Sequence, residues 1–242
     1  MIAYCLSTHH VYYDKVIHNH KLYAESIDLE YHYYNAPDFV EKYVPNSVQL
    51  FCKDNNIFSN PFNYTIVKPF GPAGLYIDPD VFVYTKEDLT MYAYKGNIAM
   101  RGWDIKSKSQ LRQKWNDVYN IMQPIQNRRW FNCGVIASSE EGVKRVSDSE
   151  TYINFFESKL KIMKDMGHLE DMKTTYLSDE MYYSYLHHID PVVRTELPRK
   201  YNLFVHKDIP HQNMGELYKA AQGNVIHFTK YKEKLREYCE WL

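Results

Sequence analysis

The chain has 242 residues, of which 45% are hydrophobic, and a formal net charge of −1. That length suits one large domain burying roughly three quarters of its unfolded surface, and the apolar share excludes a disordered chain. The near-zero charge excludes a whole-molecule pull toward nucleic acid or anionic membrane and leaves only local patches.

In chain order, "MIAYCLS" predicts a short buried strand. Apolar residues at Tyr13, Val16, Ile17, Tyr23, Ala24 and Ile27 then recur at helical spacing. "LEYHYYNA" reads as a second strand ended by Pro37, and "FVEKYV" as a short helix stopped by Pro45. "FNYTIVKPF" reads as a third strand, followed by "GLYIDPDVFV" and by another strand in "KGNIAMRG". The polar stretch 104–128 reads as loop plus helix, and "WFNCGVIASS" as a strand. "SETYINFFESKLKIMKDM" is a helix with an apolar stripe at Tyr152, Phe155, Phe156, Leu160 and Met163. "SDEMYYSYLHHI" is another, with Ser178 as its N-cap and acids in the first turn, where the helix dipole favours them. "GNVIHFT" is a late strand, and the basic, aromatic tail predicts a C-terminal helix at about 230–242.

Strands and helices in turn imply a single α/β layered domain, residues 1–242, with a mostly parallel central sheet. Cys5, Cys52, Cys133 and Cys239 have no CxxC spacing and read as reduced thiols. No apolar run is long enough to span a bilayer and no charged segment leads into one, so the expectation is a soluble, cytoplasmic protein.

In open α/β sheets ligands bind beyond the carboxyl ends of the strands, so strand-ending polar residues are the place to look. Asp78 and Asp80 are two residues apart at the end of an apolar run. That spacing puts alternate side chains on one face of an extended chain, and Pro79 biases Asp78 toward extension. The two carboxylates can therefore converge on a hard divalent cation, Mg²⁺ or Mn²⁺, with positions open for a substrate diphosphate. Asp-Pro-Asp also has the composition of a plain turn.

Six stretches, "YCLSTHHVYYDKV", "YIDPDVFV", "FNCGVIAS", "LSDEMYYSYL", "LPRKYN" and "NVIHFTKYKEK", follow one another in this order between about residue 1 and residue 230. Together they resemble the glycosyltransferases of the GT-A (Rossmann-like, nucleotide-diphospho-sugar transferase) fold. The nearest resemblance is to the retaining family 8 enzymes, the group of glycogenin and of bacterial lipopolysaccharide glycosyltransferases. The resemblance implies a Mn²⁺-dependent hexosyltransferase using a nucleotide sugar, UDP-hexose foremost. It places Leu6, Thr8 and Tyr12 around the base, Asp78 and Asp80 on the metal and the diphosphate, and His227 as third metal ligand. It places Asn132 near the reaction centre and Asp179 with Glu180 beside the donor sugar. Each has a plain structural alternative: a core histidine, a turn cap at Asn132, favourable helix-start charges at Asp179 and Glu180.

The chain departs from the family pattern at three places. Its "KPFGPAGLYIDPD" is too short and too rich in Gly and Pro for the helix that carries the family's donor-binding Lys, leaving Lys68 as a stand-in. Glu180 stands where the family has Gln. The tail after His227 lacks the family's Gly and Pro-Trp, leaving Lys230, Lys232 or Lys234 to face the diphosphate.

The expected acceptor is a hydroxyl, on a glycan before a protein or a modified nucleic-acid base. Lys106, Lys108, Arg112, Lys114, Arg128 and Arg129 form a basic set that could meet a phosphate-rich acceptor or be a solvated loop. The tail could lie on an anionic membrane or pack back on the domain. The other classes are a non-catalytic sugar-binding relative, and a nucleotidyltransferase, whose Gly-rich loop "CLSTHHVYY" lacks. The sequence leaves the oligomeric state open.

Overall fold

A computed structural model describes residues 1–7, 13–93, 96–103, 130–167, 178–191, 195–228 and 232–242. Strand β1 (Ile2–Ser7) is buried from Ala3 to Leu6. A strand buried on both faces sits inside a sheet, and β1 has a parallel partner on each edge, β2 (Glu30–Asn35) and β3 (Gly74–Ile77). Helix α1 (Tyr13–Ser26) makes the crossover from β1 to β2.

Pro37 does not merely end β2. It lies in the first turn of α2 (Ala36–Tyr43), where a missing N–H costs nothing, and Asn35 caps that turn by accepting from the Asp38 amide. Helix α3 (Asn46–Asp54) follows. The expected third strand at "FNYTIVKPF" is instead a 3₁₀ helix, Pro61–Phe70. Pro61 opens it, and the Asn60 side chain accepts from the Phe62 amide. These start signals outweigh the β-branched run Thr65, Ile66 and Val67.

The remaining strands are β4 (Val81–Val83), β5 (Ile98–Trp103), β6 (Trp130–Ser138), β7 (Thr195–Glu196), β8 (Leu203–Phe204) and β9 (Val225–His227). Among the described residues the remaining α-helices are α4 (Glu140–Val146), α5 (Ser149–Asp165), α6 (Asp179–Ile189), α7 (Val205–Asp208), α8 (Met214–Ala221) and α9 (Lys232–Trp241). Ser178 caps α6 by accepting from the Glu180 amide, as its position predicts.

The central sheet has the order β2-β1-β3-β6-β5-β7. Strand β6 is antiparallel to both neighbours and the other five run one way, so the sheet is mostly parallel in direction. A second sheet, β4-β9-β8, is small and was not legible in the sequence. The chain passes from β3 to β4 through a turn at residues 78–81, closed by the Val81 amide on the Asp78 carbonyl at 3.1 Å.

One core cluster fills the space between the central sheet and α2, α3, α5 and α6. Another joins the small sheet to the C-terminal helix, where Leu235, Tyr238 and Cys239 pack with Phe82 and Phe228. The Tyr238 and Tyr84 hydroxyls meet at 2.8 Å. The tail's apolar face is therefore spent on the domain. Among the described residues no helix is long and apolar enough to cross a membrane, and the four cysteines are buried and form no disulfide.

Candidate metal and donor site

The site is built where the two sheets meet. Strand β3 ends at Ile77, and the Asp78 amide extends its ladder by donating to the Gly134 carbonyl of β6 at 2.8 Å. On the other side of the turn, Val81 is the cross-strand partner of His227. The Asp80 carbonyl accepts from the Phe228 amide at 2.9 Å, which sets Asp80 beside the end of β9. Ligand atoms of Asp78, Asp80 and His227 thus lie within 4.8 Å of one another. The convergence comes from the turn between the sheets, not from alternation along an extended strand, so the turn and the acid pair are one feature.

His227 is buried, and its Nε2 is 3.1 Å from Asp80 Oδ1. Its Nδ1 is 2.9 Å from Asn202 Oδ1. The ring stands close against β6 at Gly134: a Cβ at position 134 would stand 2.3 Å from His227 Cε1, so only glycine fits there.

Lys68 is the largest correction to the sequence reading. The stretch before the acid pair does carry a helical lysine, because the 3₁₀ helix reaches Phe70. Lys68 is buried, with Nζ 2.9 Å from Asp78 Oδ1 and 2.9 Å from Asp179 Oδ2. Nζ also donates to the Cys133 carbonyl at 3.3 Å and sits 4.6 Å from the Tyr76 ring centre. Burial alone would push the ammonium down, but Asp179 and Asp78 together outweigh it, and its pKa stands above the usual lysine range. Burial pushes the Asp179 carboxyl up against the pull of Lys68. The two directions agree physically, since one ammonium gains from two carboxylates while each carboxylate shares it. The Tyr76 hydroxyl donates to Asp78 Oδ1 as well.

Asn132, in mid-β6, donates through Nδ2 to Glu180 Oε1 at 3.2 Å. Its Oδ1 accepts from the Gly134 amide at 3.1 Å and from Asn202 Nδ2 at 2.6 Å. Asp179 and Glu180 occupy the first turn of α6 and also serve as helix-start charges. The structure therefore brings together Asp78, Asp80, His227, Asn132, Asp179 and Glu180, and adds Asn202 and Tyr76. Asn202 ends the "LPRKYN" stretch, and only the place of that stretch in the order of the six pointed to it.

Leu6 is wholly buried in the core, so its side chain has no exposed face for a base; only its backbone at the end of β1 remains to make that contact. Thr8 and Tyr12 lie outside the described residues, as do Lys230 and the basic set from Lys106 to Arg129; nothing is described of the Lys232 side chain. Lys234 Nζ is 3.3 Å from His211 Nε2.

No protein-family model matches the chain, and no curated protein matches it. Among solved structures, it is similar to a glycosyltransferase involved in the glycosylation of the major capsid of PBCV-1, at 12% identity, TM-score 0.45 and full coverage of both chains. It is also similar to mouse xyloside xylosyltransferase 1, at 12% identity and TM-score 0.46, covering 84% of this chain and 76% of that one. At these scores neither likeness decides the function; the residues of the site have to.

Proposed function

We propose that this chain is a metal-dependent, retaining glycosyltransferase of the GT-A fold that moves a hexose from a nucleotide sugar, a UDP-hexose, to a glycan hydroxyl. The observation that carries this reading is the meeting of Asp78, Asp80 and His227 within 4.8 Å beside a buried lysine. Two carboxylates and an imidazole suit Mn²⁺ or Mg²⁺. Once bound, such a cation supplies Lewis acidity to a leaving diphosphate.

The other roles belong to the chain's own side chains. Lys68 and Tyr76 hold Asp78 by Oδ1, so its second oxygen is the one left to a cation. Thr8 and Tyr12, with the Leu6 backbone, take the base. Asn132 and Asp179 orient the donor sugar. Glu180, a carboxylate where relatives carry an amide, stabilises the positive charge that grows on the sugar carbon in an oxocarbenium-like transition state.

The test is a thermal-shift panel of nucleotide sugars, each with and without Mn²⁺. A ligand that binds the folded state alone stabilises it by about 2.7 kcal/mol at a hundred times its Kd. The expected result is a rise in Tm with one UDP-sugar that needs Mn²⁺ and vanishes in Asp80→Ala. Silence across the panel with metal present would sink the proposal.

A further inference from the structure

Asn202 is wholly buried and stands between the candidate cation ligands and the Asn132–Glu180 pair. Which way its amide points follows from its partners. The backbone N–H of Gly134 cannot be flipped, and it fixes the first amide of the network. The Gly134 N–H only donates, so the Asn132 atom it meets at 3.1 Å is oxygen. Asn132 Nδ2 then faces the Glu180 carboxylate, which only accepts when ionised, and the two assignments agree.

Asn132 Oδ1 also meets the Asn202 amide at 2.6 Å, and that partner has to be nitrogen. Asn202 Oδ1 is thereby turned to His227 Nδ1 at 2.9 Å, so Nδ1 carries a proton. In a ring with one proton, Nε2 is left with its lone pair, 3.1 Å from Asp80 Oδ1. A lone pair facing a carboxylate is repulsive unless a positive centre joins them. The backbone of Asn202 is fixed as well: its carbonyl accepts from Arg101 Nη1, and Arg101 is anchored at 2.8 Å to Asp208.

We propose that Asn202 is the positioning residue that commits His227 Nε2 to cation ligation, and that it ties the cation site to Asn132 and Glu180 through one continuous run of hydrogen bonds. This rests on the metal-dependent reading above. It makes the ligand's tautomer a property of the fold, present before any cation arrives. Partners of this kind around metal-bound histidines fix ring orientation and raise ligand basicity.

The test is a long-range ¹H–¹⁵N spectrum of the full chain labelled at histidine, metal-free and at mildly alkaline pH, paired with Mn²⁺ titration by electron paramagnetic resonance. In the wild type, His227 is expected as the Nδ1–H tautomer. Asn202→Leu removes the acceptor, so the ring should lose that tautomer and Mn²⁺ affinity should fall about 10- to 100-fold. Asn202→Asp keeps an acceptor for Nδ1–H but cannot donate to Asn132, so tautomer and Mn²⁺ affinity should both survive. This second variant guards against a loss of fold in the first. An Nε2–H tautomer in a wild type that binds Mn²⁺ overturns the proposal alone. A wild type that binds no Mn²⁺ overturns the metal-dependent reading, and the proposal with it.

Discussion

Gly134 and His227 are in direct apposition: the imidazole occupies the space a side chain at 134 would need, with Cε1 at 2.3 Å and Nδ1 at 2.5 Å from the position of a Cβ. Gly134→Ala is therefore expected to displace the ring rather than squeeze past it. Overpacking of this kind costs about 1–3 kcal/mol. Mn²⁺ affinity should fall with it, because the displaced ring no longer faces Asp80. Calorimetric Mn²⁺ titration and urea unfolding of the variant check both, and an unchanged Mn²⁺ isotherm would contradict the geometry.

Lys68 neutralises two carboxylates at once, so its loss strands both. Lys68→Met is expected to destabilise the fold by roughly 3–5 kcal/mol at neutral pH, the usual cost of removing one partner from a buried ion pair. The deficit should shrink on acidification, as the stranded Asp179 carboxyl, pushed up by burial, takes up a proton and no longer needs a cation. Urea midpoints at pH 7.5 and pH 5 for wild type and variant give the comparison. A deficit that grew on acidification would mean that Lys68 stabilises the fold by some other route.

Lys159 sits on the buried face of α5 among Tyr152, Phe155, Phe156 and Met163, and among the described residues its Nζ has no hydrogen-bond partner. Burial pushes its ammonium down to about 7, with Asp179 pulling weakly the other way. A folded pKa below the unfolded one means that stability is lost as pH falls from the unfolded value toward 7. Lys159→Met removes that loss. The variant is expected to be more stable near pH 7, by on the order of 4 kcal/mol, with the gain fading toward pH 10.

His20 is buried against the other flank of the turn, with Nε2 2.8 Å from the Val81 carbonyl and Nδ1 3.1 Å from the Tyr31 hydroxyl. Burial lowers its pKa to about 4 despite the bond to Val81. Its contribution is complete above the unfolded value near 6.5 and is lost as pH falls toward 4. The wild type should lose up to about 3 kcal/mol through this group over that window, and His20→Gln should not show that component. Parallel slopes of stability against pH for the two proteins would refute the assignment.

The sequence made some of this legible and hid the rest for physical reasons. The acid pair, the capped start of α6 at Ser178 and the late strand bearing His227 all announce themselves through local chemistry, because caps and turns are local. Lys68 did not, since a 3₁₀ helix has no periodicity long enough to recognise and Thr65, Ile66 and Val67 mimic a strand. The small sheet was hidden because β4 and β9 are three residues each and pair across most of the chain. Asn202 was hidden because its meaning lies in which way its amide is turned, and that is fixed through Asn132, seventy residues earlier, by the backbone N–H of Gly134.

The pairing of β4 with β9 also sets an order on biosynthesis. Residues 1–77 and the strands beside them can associate soon after they leave the ribosome, since β1, β2 and β3 are near neighbours in the chain. Asp78 and Asp80 emerge early, yet the imidazole that completes their cluster arrives only with residue 227. Contacts between such distant segments form late, because the intervening chain must be ordered or looped first. A nascent chain is thus unable to hold a cation in this cluster until β9 has docked, and competence to bind would report that synthesis has passed residue 227.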